Sequence, residues 1–145
     1  MHSRTWSEWM LASIGAAALL LAAPSGANAA PLQQAVAQGR EIFAHDTFGG
    51  RGLTCNSCHS GLGKTEGHLP SGAAIPSLVK AAAIFPRYKP RLHKVVTLEQ
   101  QVRGCVAGAL GGKPPAYGSR TLVDLIAYLG SLAQGQPVDI GGTPK

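Results

Sequence analysis

Methionine, tryptophan and acidic side chains are scarce in this chain. Its 145 residues hold two Met, two Trp and seven Asp plus Glu, against thirteen Lys plus Arg and a formal net charge of +6. With 45% hydrophobic and 14% charged residues, the composition excludes a disordered tail, and the sequence lacks both the repeated apolar spans of a multi-pass membrane protein and the Gly-x-y period of a collagen. No internal duplication or low-complexity segment is present. The length suits one domain, and no nucleic-acid partner is expected. One apolar run exists, Met10–Ala23, too short to cross a bilayer comfortably. Ala27-Asn28-Ala29 supplies a small-x-small cleavage site behind it, without a twin-Arg pair at Arg4, so residues 1–29 read as a secretory signal peptide. Residues 30–145 are then a single exported, periplasmic domain with no stable membrane span.

Both Met and both Trp fall in the first 29 residues. The remainder has no methionine, six aromatics (Phe43, Phe48, Phe85, Tyr88, Tyr117, Tyr128), seventeen Gly and nine Pro. Few bulky side chains and much irregular backbone make a thin core for that length, so something other than side chains is expected to fill the middle. Cys55-Asn-Ser-Cys58-His59 says what. In an exported chain Cys-x-x-Cys-His is the attachment site of a c-type haem. Two thiols three apart reach the two vinyl groups of one porphyrin, and the adjacent His projects over the same face to hold the iron. A redox dithiol or half a zinc site leaves His59 unexplained, and neither a second Cys pair nor a βαβ pattern is present.

Apolar residues recur at helical spacing over Leu32–Ala44 and again over Thr121–Ala133, while nothing reads as a strand, so the expected fold is all-α. A helix leading into the haem motif and another closing the domain resemble class I cytochrome c domains. There a small residue on the first helix admits an aromatic of the last, and Gly39 and Tyr128 look like that pair.

The second axial ligand decides the chemistry. With the signal removed no Met is left, which leaves His45, His68, His93, Cys105, a Lys or an open position. Thr97-Leu98-Glu99-Gln100 is a capping box that opens a helix to about Leu110, stopped at Gly111-Gly112. Its apolar face is Leu98, Val102, Cys105, Val106 and Ala109, so Cys105 faces the core. Cys105 is also the odd cysteine, without an internal disulfide partner in an oxidising compartment. Ligation of iron by its thiolate explains that, and so does a small buried hydrophobe. His45 reads as solvated or turned toward a propionate, His93 as solvated, and His68 as a ligand only if its loop folds over the ring.

Cys55-Asn-Ser-Cys58-His59, Phe85-Pro86-Arg87-Tyr88, Val96-Thr97-Leu98-Glu99-Gln100 with Cys105, then Gly111-Gly112-Lys113-Pro114 and Ala127-Tyr128-Leu129 follow in an order that resembles the N-terminal haem domain of thiosulfate dehydrogenases. The chain is also similar to the Sox-type cytochromes. The resemblance covers nearly all of residues 30–145. It implies one covalent haem c with His59 and Cys105 as iron ligands, and electron transfer in thiosulfate oxidation. Arg87, Lys89, Arg91 and Lys94, with Arg103 further on, could hold an anionic sulfur substrate or meet an acidic redox partner. Cys105, Arg87 and Arg91 are the catalytic candidates if the chain itself oxidises or conjugates thiosulfate. The family's polar groups after the distal Cys are replaced here by Val106-Ala107-Gly108-Ala109-Leu110, and a second haem is expected on another polypeptide. Both departures favour an electron-carrying subunit over a complete enzyme.

Overall fold

The computed structural model describes residues 29–144; the expected signal peptide lies outside them except for its last residue, Ala29. Two long helices set the architecture, α1 (Ala29–His45) and α5 (Arg120–Leu132), with three shorter helices between them: α2 (Cys55–Cys58), α3 (Ala81–Ile84) and α4 (Leu98–Cys105). The expected helices at 32–44 and 121–133 are therefore found, each within a few residues. The core is small, as the composition implies. Phe43, Leu125, Tyr128 and Leu129 form its buried cluster, and Val36, Ile42, Leu62, Leu98 and Val102 pack on its edge. Leu32, counted in the apolar stripe of α1, is instead 61% exposed.

Gly39 is where α1 and α5 meet. A Cβ placed there would stand 1.9 Å from the Asp124 carbonyl oxygen and 2.8 Å from Tyr128 Cβ. The crossing thus needs a residue with no side chain, and the pairing of Gly39 with Tyr128 read from the sequence is found. Tyr128 continues inward, its hydroxyl donating to the Leu62 carbonyl at 2.7 Å and its ring 5.5 Å from that of Phe43. Ser119 caps α5, and the buried Asp124 carboxylate accepts from Arg120 Nε at 3.1 Å.

The expectation that no strand is present needs correction. Two antiparallel ladders form, β1 (Gly67–His68) with β2 (Ala74–Ile75), and β3 (Arg87–Lys89) with β4 (Lys94–Val96). Each strand is two or three residues long, too short to show an alternation. The helical class survives because the ladders are only local hairpins. The capped helix also differs in its second half. Thr97 accepts from the Gln100 backbone N–H and the Gln100 side chain accepts from the Thr97 N–H, completing the predicted box. After Cys105, however, residues Val106–Leu110 widen into a π turn that ends at Gly111. Arg51 covers that end, its side chain donating to the Gly108 carbonyl and its backbone N–H to that of Leu110.

The crossing yields a prediction. Gly39→Val should cost about 3 kcal/mol or more, because backbone rather than a flexible side chain must move. Gly130, helical and with open space beside it, should gain up to about 1 kcal/mol as Gly130→Ala. Denaturant titration of both variants measures the contrast, and similar midpoints would show that the helices do not depend on the close approach.

Candidate cofactor site

Residues 54–59 form one helical turn. The His59 N–H donates to the Cys55 carbonyl at 2.9 Å, and Thr54 is tied to Ser57 through a backbone N–H to Oγ bond of 3.0 Å. On such a turn positions three and four apart share a face, so Cys55, Cys58 and His59 are presented together. Asn56, not singled out in the sequence, accepts from the Leu62 N–H at 2.9 Å and fixes the chain that follows. β1 lies hard against this turn: a Cβ at Gly67 would be 1.9 Å from the Cys58 carbonyl oxygen.

That shared face opens on a cavity of about 340 Å³. Its floor is Phe43, Leu125 and Leu129 from the core, and Cys55, Cys58 and His59 enter from one side. Leu98, Val102, Cys105 and Ala109 form another wall, as their spacing required, while Val106, expected on the same face, is buried outside the lining. Arg87 and Lys89 of β3 also line it. Alternation along β3 sends Tyr88 outward, where it is 53% exposed. The remaining catalytic candidate, Arg91, is exposed at the hairpin turn and is not part of the lining. His45, His68 and His93 are likewise exposed and outside it; His45 lies 3.6 Å from Glu41.

The electrostatics of the lining suit a metal-centred, apolar occupant. Burial pushes the His59 pKa down, so the imidazole is neutral at pH 7 and has a lone pair to donate. Its Nδ1 is buried without a partner. The Cys55 thiol is pushed up to about 12, mainly by burial and next by the nearby Cys105, which places the two sulfurs in one environment. Burial and the neighbouring Arg87 lower the Lys89 pKa, and its ammonium lies 5.5 Å from the centre of the Phe85 ring. Arg87 Nε is buried with no partner. The lining is mostly hydrocarbon, and leaving it in contact with water is unfavourable. An apolar group held at the Cys-x-x-Cys-His turn fits the lining.

A protein-family model of the SoxA/TsdA cytochrome c domain matches residues 38–138. The chain belongs to that family. It is 34% identical over 132 residues to the thiosulfate dehydrogenase of Allochromatium vinosum, covering 87% of this chain and 45% of that protein. With the thiosulfate dehydrogenase of Thiomonas intermedia it shares 37% identity over 97 residues, 67% of this chain and 28% of that one. Among solved structures, SoxXA from P. pantotrophus superposes with a TM-score of 0.60 at 22% identity over 76% of this chain and 36% of that chain, a likeness of fold. The chain spans less than half the length of these relatives. A SoxA/TsdA cytochrome c domain implies haem c, and the fold and thiosulfate kinship anticipated from the sequence are thereby found.

If the cavity requires its occupant, replacing both anchors as Cys55→Ser/Cys58→Ser should leave a chain with helical far-ultraviolet dichroism, weak near-ultraviolet dichroism and strong binding of a hydrophobic dye. A near-ultraviolet spectrum matching that of the parent would show that side chains alone can close this core.

Proposed function

We propose that the chain is an exported monohaem c-type cytochrome that carries electrons in the oxidation of thiosulfate or a related sulfur compound. Its one haem would be anchored by Cys55 and Cys58, and its iron held between His59 and Cys105. Bound there, the haem supplies a one-electron Fe(III)/Fe(II) couple. The observation that carries this reading is the meeting of His59 and Cys105 in one apolar cavity from separate elements, while the other three described histidines lie outside it. No methionine occurs within residues 29–144, so the sulfur available to the iron there is a thiolate. A thiolate donates electron density and favours the oxidised iron. Neutral His59 contributes its lone pair without first losing a proton.

The surroundings fit an electron carrier. No acidic side chain occurs from Gly67 to Leu98, a stretch holding Lys80, Arg87, Lys89, Arg91 and Lys94. Arg91 and Lys94 are exposed on the β3–β4 hairpin, whose inner residues wall the cavity. A partner with an acidic face, such as a second cytochrome, would be drawn to this surface. Among the described residues no helix is long and apolar enough to cross a membrane, which agrees with an exported domain that works in the periplasm.

A second reading rests on Arg87. An unpartnered guanidinium Nε on the wall shared with Cys105 and Lys89 is suited to a sulfur oxyanion, which would make this chain the site of thiosulfate oxidation or conjugation rather than a relay. The two readings separate in one set of measurements. Under the carrier reading, the purified protein gains the mass of one haem and shows a low-spin thiolate–imidazole paramagnetic resonance signal that Cys105→Ala abolishes. It also gives no sustained turnover of thiosulfate with an artificial acceptor. Sustained turnover that falls at least tenfold in Arg87→Leu would instead establish the enzyme. An unchanged ferric signal in Cys105→Ala would assign the iron another ligand, with Lys89 the first to replace.

A further inference from the structure

We propose that Gln101 is a positioning residue for the Cys105 sulfur. Its side-chain amide would hold the sulfur by an N–H···S bond and draw electron density from it, setting the potential of the iron that Cys105 binds. The proposal rests on Cys105 being an iron ligand. Gln101 Nε2 lies 3.2 Å from Cys105 Sγ, and among the described residues this is the one hydrogen bond the sulfur receives. Both side chains are half-buried and line the same cavity.

The geometry is built into the helix. Residues four apart on α4 stand one above the other, and each side chain leans toward the N-terminal turn, so the sulfur at 105 falls over the amide at 101. The turn carrying Gln101 is held at its base, where the Thr97–Gln100 box closes beneath it and the Gln101 N–H donates to the Thr97 carbonyl at 3.0 Å. Beyond Cys105 the helix widens into the π turn, and the next residues, Val106-Ala107-Gly108-Ala109-Leu110, carry no side-chain donor. The apolar neighbours Leu98 and Val102 carry none either. Gln101 is therefore placed to control a sulfur otherwise surrounded on its own helix by hydrocarbon. A hydrogen bond to a ligating sulfur withdraws the charge that the sulfur would give the metal, and in an apolar cavity such a bond is little screened.

The test uses the haem-loaded full-length protein and compares the parent with Gln101→Leu and Gln101→Arg. The leucine should shift the midpoint potential to more negative values and move the sulfur-to-iron charge-transfer band and the g-values of the ferric signal. The arginine, which restores an N–H donor, should bring all three back toward the parent. Should the leucine variant not accumulate in loaded form, Gln101→Met keeps the length, removes the donor without adding charge and should shift the potential in the same direction. A thiolate signal that is present in the parent but unchanged in potential and spectrum in the donor-less variants would overturn this role while leaving His59/Cys105 ligation intact. Absence of a thiolate signal from the parent itself would overturn the ligation reading.

Discussion

The close crossing of α1 and α5 at Gly39 is the constraint from which the rest of the site follows. With no side chain on α1 at that point, the Asp124 backbone and the Tyr128 Cβ come as near as atoms allow. Phe43, one turn further along α1, then meets Leu125, Tyr128 and Leu129 and forms the floor of the cavity. Tyr128 passes the same constraint on through its bond to the Leu62 carbonyl, which belongs to the segment that leaves the Cys-x-x-Cys-His turn. The anchoring turn is therefore tied to the helix pair twice, by the chain that follows α1 and by a hydroxyl from α5. A domain with so few large side chains can hold a cavity of this size because its walls are braced from both ends.

Much of this was legible because it is periodic or local. The haem motif is five contiguous residues, and a helical turn alone brings its three donors to one face. Gly39 and Tyr128 stand out in two amphipathic helices, and the capping box fixes the phase of α4 closely enough to aim Leu98, Val102 and Cys105 at the cavity. What stayed hidden depends on short or tertiary structure. The basic run 87–94 looked like one cluster, whereas a three-residue strand and a turn divide it, sending Arg87 and Lys89 inward and leaving Arg91 and Lys94 exposed. Leu32 fits the stripe of α1 but lies a turn before the region that α5 covers, so its periodicity has nothing to bury against. The π turn after Cys105 has no sequence period of its own. Gln101 belongs to no pattern comparable to the capping box of Gln100, because a side-chain donor to a sulfur four residues on is set by rotamers rather than by spacing.

The charge arrangement explains why these parts belong together. Under the proposed ligation Cys105 would bear a thiolate in an apolar cavity, and such an anion is costly unless something compensates it. Here two cationic side chains, Arg87 and Lys89, share its cavity, and Lys89 feels Cys105 in the sense that keeps its own charge, against burial and Arg87, which act to remove it. The hairpin is thus more than a cover. Its register puts Arg87 opposite the buried Val96 and pairs Tyr88 with Val95 on the outer side, so one slip by a residue would exchange two cations for two apolar side chains at the cavity wall. Whether a bound sulfur oxyanion also meets Arg87 and Lys89 is the same question as carrier against enzyme. Arg87, whose buried Nε has no protein partner, is the residue on which the two answers differ.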